Sequence, residues 1–258
     1  MAQSAIQFDT PALVPADPQA NSTQVLLDRV RETPHNPLFS LPIDGGWKDV
    51  TPTEFLDQVK ALAKGFIASG IKPGDRVGLM CKTRYEWTLI DFAMWFAGAA
   101  LVPIYETSAP SQIQWILEDS ESVALIVETP EHLSRFEEIR SDAPYVHSVW
   151  QIDAGDLEAL VISGTGISDE EVEERRSSLH GNDLATLIYT SGSTGKPKGC
   201  VLTHSNFLEL ARNAHAAVPE VVNPQASTLL FITTAHIFAR FISILAIEGG
   251  VKVGHQGD

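Results

Sequence analysis

A chain of 258 residues can bury a substantial core, and 44% hydrophobic with 20% charged residues is the balance of a soluble globular protein, not of a disordered or fibrous one. A formal charge of −15 repels nucleic acid phosphates and offers no basic stripe to anionic lipid, so neither is expected as a partner through bulk electrostatics. The two cysteines, Cys81 and Cys200, sit in separate apolar stretches without metal-ligand spacing; buried free thiols and a cytoplasmic setting are the expectation.

Residues 1–24 lack a basic start and a continuous apolar run and carry Pro11, Pro15 and Pro18, which predicts a loosely ordered leader and no secretory signal. Thr51-Pro52-Thr53-Glu54 places an N-cap hydroxyl, a first-turn proline and a carboxylate ahead of Phe55, Val59, Leu62 and Phe66, which recur at helical spacing up to Gly70. Short apolar strands at 76–80, 101–105, 123–127 and 148–152 then alternate with helices at 86–100, near 111–118 and after Thr129-Pro130. The most apolar segment, 89–105, is interrupted by Asp91 and Pro103 and is too short to span a membrane. Residues 162–182 are acidic and read as a surface connector with a cap at Ser168 and a turn at Gly164-Thr165-Gly166. From Asp183 the alternation resumes with a strand at 184–189, an extended run at 200–203, a helix at 205–217, a strand at 228–232, a helix after Ala235 and a strand-like run at 251–253. Strands separated by helices imply parallel sheets with crossover helices, hence an α/β fold of two related parallel-sheet units: 25–182 with the connector at its end, and 183–258, whose sheet is incomplete.

Between the strands of that second unit lies Tyr189-Thr190-Ser191-Gly192-Ser193-Thr194-Gly195-Lys196-Pro197-Lys198-Gly199. Glycines let backbone N–H groups approach an anion, hydroxyls add neutral donors and lysines add charge, which together make a cradle for a polyphosphate. The spacing is not that of a Walker loop, because Gly192 and Gly195 are three apart and Pro197 follows Lys196. A Ser/Gly linker is the competing reading. Lys196 has two open positions, in solvent or on a phosphate, while the Pro and Gly around Lys198 favour a fixed role for it.

This segment resembles the signature of the adenylate-forming enzymes. Trp47-Lys48-Asp49-Val50-Thr51, Gly74-Asp75-Arg76-Val77-Gly78, Val102-Pro103-Ile104-Tyr105-Glu106-Thr107 and Trp115-Ile116-Leu117-Glu118-Asp119-Ser120 narrow the resemblance to the N-terminal portion of long-chain fatty acid CoA ligases. The resemblance implies a two-step reaction in which a fatty acid carboxylate attacks the α-phosphate of ATP, expelling pyrophosphate, and the thiol of coenzyme A then displaces AMP. It also implies that Thr190 helps bind Mg²⁺, that Ser191, Gly192, Ser193, Thr194 and Gly195 wrap the β and γ phosphates, and that Lys196 and Lys198 add charged contacts. The family pattern L-P-L-x-H aligns with Ile232-Thr233-Thr234-Ala235-His236. His236 is thereby the candidate catalytic residue beside the acyl and adenylate pocket, with Arg240 one helical turn on; Thr233 and Thr234 depart from the pattern. The other histidines read as structural, His204 shaping a helix entry.

Family members also carry Tyr-Gly-x-Thr-Glu and Thr-Gly-Asp segments that complete Mg²⁺ and ribose binding, and neither occurs in these 258 residues. The chain by itself is therefore expected not to form acyl-CoA. A non-catalytic nucleotide- or acyl-binding module is the alternative, and the resemblance leaves room for a homodimer and for peripheral membrane contact.

Overall fold

The computed structural model describes residues 11–190 and 195–256. After α1 (Gln24–Glu32) comes a hairpin absent from the predicted elements, β1 (Phe39–Ile43) and β2 (Gly46–Val50). Its signal is in the sequence: Asp44-Gly45 is the whole connection, Ile43 pairs with Gly46, and Gly45 has φ +81°. The next helix, α2 (Pro52–Ala68), starts as predicted. Thr51 Oγ1 accepts from the Glu54 N–H at 3.2 Å, and the Glu54 carboxylate accepts from the Thr51 N–H at 2.8 Å. Phe55, Val59, Leu62 and Phe66 form its inward stripe and are fully buried, each large side chain contributing about 1.5–3 kcal/mol.

The alternation then runs β3 (Arg76–Met80), α3 (Tyr85–Phe96), β4 (Ala100–Ile104), α4 (Pro110–Asp119), β5 (Ala124–Val127), α5 (Pro130–Glu137) and β6 (Ser148–Gln151). Strands β4 and β5 are buried along their whole length, as strands covered on both faces must be. Two further helices, α6 (Asp156–Ser163) and α7 (Asp169–Ser177), occupy the stretch read as a connector. They are docked, not merely exposed. Val172 and Arg176 of α7 are buried, Arg175 donates to Ile71 O at 2.8 Å, and a Cβ on Gly164 would come within 2.4 Å of Gly65 N on α2. Gly164 therefore allows a close approach of two backbones, which a lone glycine in an acidic stretch does not announce.

The remaining elements are β7 (Leu184–Thr190), β8 (Lys198–Thr203), α8 (His204–Ala217), β9 (Ser227–Leu230), α9 (Ile237–Gly249) and β10 (Lys252–His255). One sheet has the order β6-β5-β3-β4-β7-β8 and the other β2-β1-β10-β9. Each is parallel except for one antiparallel edge strand, β8 or β2. The α/β class with parallel sheets is as predicted, but the change of sheet does not fall at residue 183. Strand β7 joins the first sheet, where Thr186 donates to Leu101 O and Trp95 Nε1 donates to Ala185 O at 3.0 Å, while β1 and β2 pair with the late strands β10 and β9. Strand partners are chosen by complementary buried faces, and chain order does not reveal them.

Two smaller expectations also differ. Cys81 is buried, but Cys200 is exposed because it lies on the edge strand β8. The end of the leader is tied down: Ser22 and Thr23 are fully buried, and the Asn21 amide donates to Arg176 O and Leu179 O. Among the described residues no helix is long and apolar enough to cross a membrane.

Candidate active site

The hairpin β7–β8 carries the glycine- and hydroxyl-rich run at its tip, with Thr190 and Lys198 as Cα partners across it. Both ends of the run are thus anchored in a sheet, which a flexible linker would not be. Ser191, Gly192, Ser193 and Thr194 lie outside the described residues. Thr190 and Lys198 are exposed at the strand ends, and Gly195 has φ +134° with open space where a Cβ would stand, a conformation suited to glycine. Gly199 serves a different purpose. A Cβ there would stand 3.1 Å from the ring of Tyr189, its partner across the hairpin, so the glycine makes room for that ring. Tyr189 in turn donates its hydroxyl to Asp119 Oδ2 at 2.6 Å, and burial together with Asp119 holds the phenol protonated, its pKa raised.

Lys196 is exposed, and its ammonium rests on an aromatic ring. Its Nζ stands 3.8 Å from the centroid of the Trp115 ring, and Trp115 Nε1 donates to Pro197 O at 2.8 Å. Trp115 is a site-proximal residue that sequence reasoning used only as part of a resemblance, because α4 and the hairpin are far apart in the chain.

His236 is the N-cap of α9. Its Nδ1 accepts from the Phe238 N–H at 3.2 Å, which in the neutral ring puts the proton on Nε2 and makes that edge a donor. The segment before it is clamped from the other sheet. Thr83, at the exit of β3, donates through Oγ1 to Ile232 O at 2.8 Å and accepts from the Thr234 N–H at 3.1 Å. Arg240 does not share the exposed face of His236. It is 1% exposed, donates through Nε to Asp91 Oδ2 at 2.8 Å and through Nη2 to Asp91 Oδ1, and its guanidinium stands within 5.5 Å of the rings of Trp87, Trp95 and Phe207. His236, as an N-cap with extended backbone, stands outside the helix, so the two side chains part: Arg240 lies in the core, where it fixes α9 onto α3. His204 is fully buried, its ring edge-on to Trp95, and its Nδ1 accepts from the Ser22 N–H at 3.3 Å.

A cavity of about 360 Å³ joins the two candidate sites: its lining includes Tyr105, Gln112, Tyr189, Thr190, Pro197 and His236. Thr190 and Pro197 bring the two arms of the hairpin to one wall. His236 and the positive N-terminal end of α9 form another. Such a space can hold an elongated polar ligand with an anionic part at the hairpin and a hydrogen-bond acceptor at the imidazole. Among the described residues no cluster of three His, Cys, Asp or Glu side chains could hold a metal by itself.

Comparison with known proteins gives the family and the fold. A family model described as AMP-binding enzyme matches residues 26–256, and the chain belongs to that family. It is 38% identical over 255 residues to the long-chain-fatty-acid–CoA ligase FadD15 of Mycobacterium bovis, an alignment that covers 98% of this chain and 42% of that protein. It is 30% identical over 226 residues to the peroxisomal long chain acyl-CoA synthetase 7 of Arabidopsis thaliana, covering 83% of this chain and 32% of that one. The chain therefore spans less than half the length of these relatives. Among solved structures, a long-chain-fatty-acid-CoA ligase (FadD1) from Archaeoglobus fulgidus superposes with TM-score 0.79 at 18% identity, over 96% of this chain and 48% of that one. The N-terminal domain of FACL13 from Mycobacterium tuberculosis gives TM-score 0.76 at 24% identity, over 92% and 57%. These likenesses establish the fold that the chain shares with those structures.

Proposed function

We propose that this chain is the N-terminal portion of an AMP-forming long-chain fatty acid CoA ligase, with ATP, Mg²⁺, a fatty acid and coenzyme A as the substrates and cofactors of the complete enzyme. The observation that carries this reading is the single cavity lined by both Thr190 and His236. In the first step the carboxylate oxygen forms a bond to the α-phosphorus while the bond to pyrophosphate breaks. The protein's part is to hold the two reactants in line and to offset the charge, which is positioning and electrostatics.

Residues 191–195 would donate N–H and hydroxyl hydrogens to the β and γ phosphates, and Lys198 would add a charged contact. The His236 Nε2–H would donate to an oxygen of the acyl carboxylate or of the adenylate. Mg²⁺ takes hard oxygen ligands and keeps phosphates and water in its shell, so the exposed Thr190 hydroxyl fits as a single protein ligand to an ion carried mainly by the nucleotide. The metal would supply neutralisation of phosphate charge. The cytoplasm is the proposed compartment, in keeping with two free thiols. The 258 residues alone hold ATP at one end, and we expect no turnover from them.

A fatty acyl sulfamoyl adenosine, a stable mimic of the acyl adenylate, tests the shared cavity. Hydrogen exchange should slow at 188–190 and at 236–240 together when it binds. Protection at only one of the two segments would contradict a common site.

A further inference from the structure

Trp115 touches the exit arm of the hairpin tip twice, through chemically different contacts. The indole N–H bond to Pro197 O is made to a backbone carbonyl and is indifferent to the charge of a ligand. The contact of the Lys196 ammonium with the ring face is electrostatic and worth little at an exposed site. A phosphate oxygen offers the same ammonium a charge-assisted hydrogen bond, which is the stronger interaction. Trp115 stands one residue from Ile116, and Ile116 and Gln112 of the same helix line the cavity, so any anion at the hairpin lies close to this ring. Lys196 is exposed, and the contact recorded for its ammonium among the described residues is the Trp115 ring.

We propose that Trp115 is a positioning residue for the hairpin tip: it anchors the exit arm through Pro197 and holds Lys196 on its ring until a polyphosphate draws the ammonium away. The two contacts then have opposite fates on binding. The Pro197 bond persists, while the Lys196 contact is exchanged for phosphate. The proposal rests on the polyphosphate reading of the hairpin and adds to it a defined starting position for Lys196.

The probe is Mg²⁺–pyrophosphate, followed by NMR on the 258-residue chain. In the free protein the ε-methylene protons of Lys196 should be shifted upfield by the ring above which they sit. Trp115→Leu should abolish that shift, and Trp115→Phe should retain part of it, with the thermal midpoint of each variant showing that it is folded. Saturating pyrophosphate should return the Lys196 protons to ordinary values and leave the Trp115 Nε1–H resonance hydrogen-bonded. Movement of the Gly195 and Lys198 amides with Lys196 still on the ring would overturn the exchange and leave the phosphate reading intact. Absence of change at all three residues would overturn both.

Affinities give a second, independent readout. Removing the ring frees Lys196 but also loosens the arm, and only the first effect needs the lysine. Trp115→Leu should therefore be about 2- to 5-fold more favourable to pyrophosphate affinity in the Lys196 background than in the Lys196→Ala background, the range expected for an exposed cation–π contact. Equal effects in the two backgrounds would contradict the exchange.

Discussion

Thr83 shows how one hydroxyl can set the aim of a candidate catalytic group far along the chain, at His236. It is buried, donates to Ile232 O and accepts from the Thr234 N–H, and so fixes both sides of the turn that delivers His236. Thr83→Val keeps the volume but strands a backbone donor and acceptor, which should lower stability by about 1–3 kcal/mol, whereas Thr83→Ser should stay near the parent. Urea unfolding of the three proteins measures this. Equal stability of the Val and Ser variants would remove the clamp from the account. The Thr233 and Thr234 hydroxyls that depart from the family pattern find no partner among the described residues, so the clamp acts on the backbone and not on those side chains. At this scale the sequence was informative about residue type and silent about partner. Thr190, Gly195, Lys198 and His236 could be named from spacing and motif, but Trp115 under Lys196 and Thr83 behind His236 depend on side chains that meet only when the chain folds.

Helix α9 is held to α3 by a buried ion pair, and the two helices belong to different sheets. Asp91 and Arg240 are 2% and 1% exposed and pair bidentately beneath the rings of Trp87, Trp95 and Phe207. Removing one partner leaves the other charge buried and unpaired, so Asp91→Ala should cost about 3–5 kcal/mol, and Asp91→Ala with Arg240→Met should recover a good part of it. A double-mutant cycle by denaturant unfolding checks this, and additive losses would contradict the pairing. From sequence, Asp91 served only to interrupt an apolar segment, and Arg240 was assigned to the face of His236. The cap geometry corrects the second point: His236 has extended backbone, φ −87° and ψ 135°, so it stands outside the helix and the four-residue neighbour relation does not link it to Arg240. Helix existence and type were readable from caps and periodicity at α2, α3, α4, α5, α8 and α9, but α1 was not predicted and α6 and α7 fall in or beside the stretch read as a connector. The hairpin β1–β2 was readable too, from Asp44-Gly45, but the docking of α7 was not, since an acidic, arginine-bearing helix carries little apolar signal.

Across the whole molecule, the seam between the two sheets is lined with groups that must stay neutral. His204 is packed on Trp95, and His255 places Nε2 3.2 Å from Thr88 Oγ1 beside Phe39 and Tyr85, with the Glu86 carboxylate acting against the effect of burial. Burial lowers their pKa values to about 3 and about 4 from 6.5. Below pH 6.5 the unfolded chain binds protons at both rings that the folded chain refuses, so stability is full above that pH and falls as pH drops, levelling off only near the folded values. The two rings together should remove about 4 kcal/mol between pH 7 and pH 5, about 2 each, and His255→Gln should remove half of that dependence. Urea midpoints at the two pH values test it, and an unaltered slope in the variant would show that His255 does not titrate on unfolding. The parallel α/β class followed from the alternation of strands and helices, but the pairing of the first hairpin with the last strands could not be read from it. Chain order carries no trace of which strand a given edge will accept.

The central claim is that the hairpin tip holds a polyphosphate, and Lys198 and Gly195 are the residues through which it can be tested most directly. Calorimetric titration of the chain with Mg²⁺–pyrophosphate should give saturable binding. Lys198→Ala should weaken it by about 1–3 kcal/mol through loss of a charged hydrogen bond, and Gly195→Val should weaken it by forcing a β-branched residue out of φ +134°. Pyrophosphate affinity unchanged in both variants would contradict the claim and return the segment between Thr190 and Lys198 to the role of a connection between strands.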